Sequence, residues 1–252
     1  MRASRLLSGL SLVLAMALPL AASAQQLTVS AAASLTDAFK ELAPKFEAAH
    51  PGATVRFNFA ASGVLLQQIG QGAPVDVFAS ADQETMDRAL AQKLIEPATR
   101  QDFASNSLVL IEPAKDGPNL KTLQDLGGPS VRKIAIGKVE TVPVGRYTKQ
   151  ALEAAKLWDP LQPKFVQGDS VRQVLDYVSR GEAEAGFVYR TDAALMGDKV
   201  KIVLTATGHT PVTYPVAVVA ESKQKALAQD FVSFLASDAS QQTLARFGFG
   251  KP

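Results

Sequence analysis

The sequence contains no cysteine and only two histidines among its 252 residues. Without cysteine the chain can form neither a disulfide nor a thiolate metal site, so core packing must hold the fold together. His50 and His209 both stand beside glycine and proline, which predicts loop positions in contact with solvent. A serine nucleophile needs a positioned base, and neither histidine is spaced to serve as one.

Phosphate-binding motifs and an excess of one charge are also missing. Neither the Gly-x-x-x-x-Gly-Lys loop nor the Gly-x-Gly-x-x-Gly fingerprint of nucleotide-binding proteins occurs. Two of the 26 basic residues, Arg2 and Arg5, fall within the first 24 residues, so 24 basic residues face 24 acidic residues in the remainder. This balance argues against nucleic acid as a partner, because such binding depends on basic patches.

The one long apolar run stands at the start of the chain. It covers Leu6–Leu20, follows two arginines and precedes the small residues Ala22-Ser-Ala24. This pattern predicts a signal peptide over residues 1–24, cleavage after Ala24 and a periplasmic protein. The run is short for a membrane span and is interrupted by glycine, serine and proline. Without a cysteine there is also no lipobox, so we expect no membrane insertion after signal removal.

The first half of the chain repeats one pattern, in which a strand leads through small residues into a helix. Apolar and polar residues alternate in each strand, and apolar residues recur at helical spacing after it. The three units run from Leu27 to Phe39, from Thr54 to Ile69 and from Val75 to Leu94. Such repetition predicts an α/β fold, in which ligands bind at the carboxyl ends of the strands.

Ser34 stands where the first helix begins, and the residues around it allow two interpretations. It can be a plain N-cap that forms a capping box with Asp37, three residues later. Alternatively, the strand, the three small alanines and the helix start together form a seat for an anion, because first-turn N–H groups lack partners and the helix dipole favours negative charge. Taken by itself, the segment favours the cap.

The second half contains further helix starts and two candidate crossings between lobes. Val142–Gly145 and Gly168–Val171 each open a helix, and the strand Ala185–Tyr189 ends in a tyrosine. About 228 residues remain after the signal peptide, enough for two lobes of roughly 100 residues each. Apolar strands around Leu108–Ile111 and Tyr214–Val219 are the predicted crossings.

Seven ordered blocks, spread over the whole mature chain, resemble the periplasmic molybdate-binding proteins of ABC uptake systems. The blocks are Ala31–Ala38, Phe59–Ser62, Gly72–Gln83, Val142–Gly145, Asp169–Arg172, Gly186–Tyr189 and Tyr214–Val219. The resemblance implies the two-lobed type II periplasmic binding-protein fold. Each lobe is then a mixed sheet flanked by helices, with the ligand in the cleft. We expect lobe I over 25–107 plus 217–252 and lobe II over 108–216.

The same resemblance implies an oxyanion site and no catalytic residue. In the family pattern, Ser34 and Ser62 bind through backbone N–H and hydroxyl, Val144 and Val171 through backbone N–H, and Tyr189 through its hydroxyl. Molybdenum then enters only as the oxyanion, without direct metal ligands or a cofactor. The chain departs from the pattern at Gly63, where many relatives have serine or threonine, and at Val144, where alanine is common.

The residues themselves agree with this assignment in part. Ser34, Ser62, Val144 and Val171 stand at or just before predicted helix starts, whose N–H groups can hold a dianion without a cationic side chain. Tyr189 and Val171 have a second explanation, since a strand-end tyrosine or a helical valine is more often a core residue.

The expected function is therefore a receptor for molybdate, and for tungstate, that acts as a monomer. It would deliver the anion to a membrane permease and its ATP-binding subunit. One alternative of the same class is a receptor for sulfate or another tetrahedral oxyanion. The alternative from another class is a secreted serine hydrolase that uses Ser34 or Ser62.

Overall fold

The computed structural model describes residues 25–252, so the predicted signal peptide over 1–24 lies outside the described residues. The strands are β1 Gln25–Ala32, β2 Ala53–Ala60, β3 Val77–Ala79, β4 Gln101–Asn106, β5 Leu108–Pro113, β6 Ile134–Gly137, β7 Phe165–Gly168, β8 Ala185–Tyr189, β9 Val200–Thr205 and β10 Val212–Val218. The α-helices are α1 Thr36–Ala49, α2 Ser62–Gly70, α3 Gln83–Ala91, α4 Pro143–Ala154, α5 Trp158–Leu161, α6 Val171–Ser179, α7 Arg190–Leu195, α8 Lys225–Leu235 and α9 Asp238–Arg246.

These strands form two five-stranded sheets with the same layout. Their orders are β2-β1-β3-β10-β4 and β7-β6-β8-β5-β9. In the first sheet β1 runs parallel to β2 and β3, whereas β10 is antiparallel to β3 and β4. In the second sheet β6 runs parallel to β7 and β8, whereas β5 is antiparallel to β8 and β9. The expectation of two lobes, each built on a mixed sheet flanked by helices, is confirmed.

The chain passes from the first sheet to the second at Ser107 and returns over residues 206–211. The return comes earlier than the sequence analysis expected. All of β10 pairs in the first sheet, so residues 212–216, which we had placed in lobe II, lie in lobe I. The stretch Tyr214–Val218 stays in a strand despite Pro215, and the turn that ends lobe II is the Gly208–Pro211 segment before it.

Strand β4 is an element that the sequence analysis did not predict. Its residues, Gln-Asp-Phe-Ala-Ser-Asn, include no β-branched side chain and one aromatic side chain, Phe103. The strand forms because it pairs with β10 along most of its length. Tertiary pairing therefore overrides a weak local preference at this position.

An aromatic cluster holds the last helices against lobe I. Phe231 of α8 packs edge-on against Phe39 and Phe46 of α1, with ring centroids 6.0 and 5.1 Å apart. All three rings are fully buried. The chain end thus belongs to the first lobe. None of the helices between residues 25 and 252 is both long and apolar enough to cross a membrane.

Candidate functional site

Strand register brings four helix starts to the cleft between the lobes. In lobe I the last residue of β1, Ala32, lies beside Ala60 at the end of β2, so the segments that lead into α1 and α2 are neighbours. In lobe II Gly137 of β6 lies beside Gly168 of β7, just before α4 and α6. Because carboxyl ends of parallel strands share one edge of a sheet, both sets of helix starts face the same cleft.

A small, partly open cavity lies at this junction, between the helix starts of the two lobes. All five residues predicted for the site line it: Ser34, Ser62, Val144, Val171 and Tyr189. The other lining residues are five alanines, Val142 and Pro143, so none of the twelve lining side chains carries a charge. Any polar ligand in this cavity must be bound by hydroxyl groups and by the peptide backbone.

Backbone N–H groups are the main donors that the helices present. Ser62 and Val171 are the first residues of α2 and α6, and Val144 is the second residue of α4. N–H groups in the first turn of a helix have no carbonyl partner within that helix, and they carry the positive end of its dipole. The three helix starts therefore provide the partial positive charge that an anion needs.

The two serine hydroxyls are buried at the cavity wall. Ser62 Oγ accepts the N–H of Ala81 at 3.0 Å, which leaves its own hydrogen free to point into the cavity. Ser34 lies in a short 3₁₀ turn, Ala33–Leu35, before α1, and its side chain caps neither helix. Its Oγ instead lies 3.2 Å from Tyr214 Oη. The N-cap interpretation of Ser34 was therefore wrong.

Tyr189 presents a hydroxyl without a partner. It ends β8, its side chain is 1% exposed, and its Oη forms no hydrogen bond within the described part of the chain. Burial raises the pKa of this phenol well above its ordinary value, so the group keeps its hydrogen. A buried hydroxyl without a partner costs free energy, and such groups are rare in folded proteins. The cavity is where Tyr189 Oη can find an acceptor.

The charged groups that the sequence analysis missed surround the cavity and join the two lobes. On one side, Arg146 of α4 contacts Asp82 at the start of α3, with Nε and Nη2 2.8 and 2.6 Å from one carboxylate oxygen. Both side chains are buried. Asp82 also caps α3 by accepting the N–H of Thr85. The sequence does not reveal which arginine lies opposite Asp82.

A second ion cluster joins the lobes on another side. Arg172 of α6 lies 2.8 Å from Asp37 of α1 and 2.6 Å from Asp192 of α7, and it donates to the Ser34 carbonyl at 3.4 Å. Asp37, expected as a capping-box residue, is therefore an interlobe partner of Arg172. Arg172 directly follows the predicted site residue Val171 in the sequence. This position was the sequence signal that could have indicated a charged cluster beside the site.

Gly63 allows a direct backbone contact between the lobes. Its N–H donates to the carbonyl of Thr141, in the loop before α4, at 2.9 Å. A Cβ at this position would lie 2.6 Å from the Thr141 oxygen and 2.7 Å from its Cα. These are backbone atoms and cannot rotate away. The departure from the family pattern at Gly63 thus coincides with a direct backbone contact between the lobes.

The histidines take no part in this site. His50 ends α1 and its Nδ1 pairs with the carbonyl of Phe46, whereas His209 lies in the returning segment beside the carbonyls of Ala206 and Thr210. Neither lines the cavity. Residues 25–252 also contain no group of three or more histidine, aspartate or glutamate side chains that could hold a metal ion.

Known proteins resemble this chain over most of its length. Residues 27–250 match the family described as bacterial extracellular solute-binding proteins. The chain is 38% identical to the molybdate-binding protein ModA of Escherichia coli, with 97% of this chain and 96% of that protein covered. It is 37% identical to YvgL, a Bacillus subtilis lipoprotein whose name proposes an ABC transporter substrate-binding role, with 88% and 85% covered. The structure of the Azotobacter vinelandii periplasmic molybdate-binding protein matches with a TM-score of 0.77 at 27% identity, covering 90% of this chain and 99% of that one.

The buried carboxyl of Asp192 predicts a pH-dependent stability. Burial raises its pKa from the ordinary 3.8 to about 6, although Arg172 opposes the shift. Because the folded-state pKa lies above the unfolded one, the stabilisation from Asp192 is full below about pH 4 and is lost as the pH rises through about 6. Asp192→Asn removes this titration. Its free energy of unfolding relative to wild type should therefore rise by up to ~3 kcal/mol over that interval, measured by urea unfolding.

Asp198→Asn is the matched control, since Asp198 follows the same helix but is exposed. Its difference from wild type should stay nearly constant with pH. A constant difference for Asp192→Asn as well would contradict the assignment of a raised pKa to Asp192.

Proposed function

The chain belongs to the family of bacterial extracellular solute-binding proteins, and on that premise we propose that it is a receptor that captures molybdate or tungstate and delivers it to an ABC importer. Relatives of the chain are solute-binding proteins rather than enzymes. The serine hydrolase alternative is not favoured, because neither histidine reaches Ser34 or Ser62. We assign the oxyanion to the cavity lined by Ser34, Ser62, Val144, Val171 and Tyr189.

The observation that carries this assignment is the unpartnered hydroxyl of Tyr189 in a wall without charged side chains. A ligand there must supply acceptors, because the wall offers N–H groups and hydroxyls. A tetrahedral dianion has four oxygens that can each accept hydrogen bonds from several directions. Bonds to a charged acceptor are roughly twice as strong as neutral ones, so many such donors can replace a cationic side chain.

The same donors supply selectivity among oxyanions. Phosphate keeps a proton near neutral pH, and that proton needs an acceptor when the anion is buried. No carboxylate or imidazole lines the cavity to accept it. A buried donor without a partner costs on the order of 1–3 kcal/mol, which disfavours phosphate. Sulfate carries no proton at this pH, so the lack of an acceptor does not disfavour it. Only the size of the cavity can then discriminate against sulfate, because molybdate and tungstate are larger and nearly equal to each other in size.

The proposal also covers the export of the chain and the delivery of the anion to a transporter. The predicted signal peptide, with cleavage after Ala24, would place the mature chain in the periplasm as a monomer. The substrate-binding role that the name of the Bacillus subtilis relative proposes supports a membrane permease and its ATP-binding subunit as partners. We propose no cofactor, since the anion is cargo.

Calorimetric titration of the mature protein is the direct test. We expect molybdate and tungstate to bind alike, sulfate much more weakly and phosphate too weakly to give measurable heat, so that phosphate binding is detectable only by competition at high concentration. Molybdate at about a hundredfold excess over its Kd should also stabilise the fold by ~2.7 kcal/mol, because it binds the folded state alone. Absence of heat and of a thermal shift with both molybdate and tungstate would refute the proposal, and stronger binding of sulfate would favour the sulfate receptor.

Tyr189→Phe tests the assigned site. The variant removes a hydroxyl that has no partner among residues 25–252, so the free energy of unfolding without ligand should stay the same or rise slightly. Molybdate affinity should fall by roughly 1.5–3 kcal/mol, the scale of a hydrogen bond to a charged group. Ser34→Ala should weaken binding on the same scale. If both variants bind molybdate as tightly as wild type, the cavity is not the binding site.

Gly63→Ala tests whether the lobes must close on the ligand. The added methyl group would meet the Thr141 backbone, so the lobes cannot approach as closely. We expect a loss of about 1–3 kcal/mol in molybdate binding, the usual cost of overpacking, and a smaller ligand-induced decrease in the radius of gyration by small-angle scattering. Gly70→Ala, on the same helix with its nearest neighbour at 3.6 Å, is the control and should behave as wild type.

A further inference from the structure

A chain of hydrogen bonds runs from the first crossing between the lobes to the cavity. Asn106 ends β4, next to the crossing at Ser107, and its side-chain amide nitrogen lies 3.2 Å from Tyr214 Oη. Tyr214, on β10, lies in turn 3.2 Å from Ser34 Oγ. Tyr214 is fully buried. Neither Asn106 nor Tyr214 lines the cavity, so their effect on a ligand passes through Ser34.

The donor and acceptor roles in this series of hydrogen bonds follow from one backbone contact. The N–H of Ser107 lies 2.9 Å from the Asn106 side chain, and because a backbone N–H can only donate, the atom that it meets must be the carbonyl oxygen Oδ1. The other end of the amide is therefore the NH₂ group. It donates one hydrogen to Thr191 Oγ1 at 2.9 Å and the other to Tyr214 Oη.

Tyr214 has a single hydrogen, and its other neighbour is Ser34. Because the Asn106 NH₂ group only donates, Ser34 Oγ is the neighbour that can accept the Tyr214 hydrogen. Burial raises the pKa of this phenol well above its ordinary value, so the hydrogen stays on Tyr214. Ser34 then accepts from Tyr214, and its own hydrogen is directed into the cavity.

We propose that Asn106 and Tyr214 are positioning residues that set the Ser34 hydroxyl as a donor toward the ligand, and so help the site to select fully ionised oxyanions over oxyanions that carry a proton. This inference rests on the proposed function. Ser62 Oγ likewise accepts a hydrogen bond, from the N–H of Ala81. Each serine oxygen therefore accepts one hydrogen bond from the protein and can donate its own hydrogen to a ligand in the cavity. Successive bonds of one direction also polarise each other, which strengthens the last donor.

The test compares molybdate with phosphate at mildly alkaline pH, where phosphate is mainly the monohydrogen dianion. The two anions then carry the same charge and differ in the proton. In Tyr214→Phe, the Ser34 hydroxyl is free to turn and accept. We expect molybdate affinity to fall about tenfold, the scale of one net hydrogen bond, while phosphate competition weakens less or improves, so that the ratio of the two affinities falls.

Tyr147→Phe is the matched control. Tyr147 is also a buried phenol close to Tyr189, with ring centroids 6.4 Å apart, but its hydroxyl interacts with the backbone of Thr213. We expect this variant to keep the wild-type ratio. A merely structural role of Tyr214 would lower the melting temperature and leave the ratio of affinities unchanged, which would overturn the inference.

Asn106→Asp provides a second variant of nearly the same shape. A carboxylate accepts the Tyr214 hydrogen, so Tyr214 accepts from Ser34 and the Ser34 oxygen faces the ligand with a lone pair. The added charge weakens the binding of both dianions alike and cancels in the ratio of their affinities. The turned Ser34 hydroxyl does not cancel, so the inference predicts a lower ratio of molybdate to phosphate affinity here too. An unchanged ratio in both variants, with molybdate binding intact in wild type, overturns this inference alone. Failure of wild type to bind molybdate overturns the proposed function and this inference together.

Discussion

The buried ion pair of Arg146 and Asp82 is the contact on which the arrangement of the two lobes depends. Asp82 caps α3 in lobe I, and Arg146 belongs to the helix in lobe II whose first turn contains Val144. Removing either partner would leave a charge in a region from which water is excluded, and such a charge is strongly destabilising. The pair therefore couples a helix cap in one lobe to a helix start at the cavity in the other.

Charged side chains and backbone dipoles occupy different positions relative to the cavity. Arginines Arg146 and Arg172 lie around the cavity and join the lobes, but neither lines it. Inside the cavity, fixed N–H groups and hydroxyls face the space. A mobile cationic side chain can adapt to many anions, whereas a fixed set of donors accepts the anion whose oxygens match its positions. The charged side chains that join the lobes and the uncharged residues that line the cavity thus lie next to each other in the chain, as Val171 and Arg172 illustrate.

Burial has a cost at this junction. Asp192 is fully buried beside Arg172, and its raised pKa reports that the ionised carboxylate is poorly solvated there. Tyr189 keeps a hydroxyl that nothing in the described chain satisfies. Polar groups held in unfavourable surroundings often mark functional positions, because a ligand can satisfy what the protein does not. At Asp192 the neighbouring Arg172 favours the ionised carboxylate, whereas no described residue offers Tyr189 Oη an acceptor.

The sequence by itself determined the fold class and the helix starts, because these follow from local periodicity and from small residues before helices. The five predicted residues that line the cavity came from the resemblance of ordered motif blocks to a known family. The N-cap interpretation of Ser34 was wrong, and the sequence did not reveal β4 or the partners of Arg146 and Tyr214. Each of these depends on a partner far along the chain, as with the 180 residues between Ser34 and Tyr214. Local patterns carry no information on such pairs. Strand register and lobe packing decided them, because they bring together residues that are far apart in the chain.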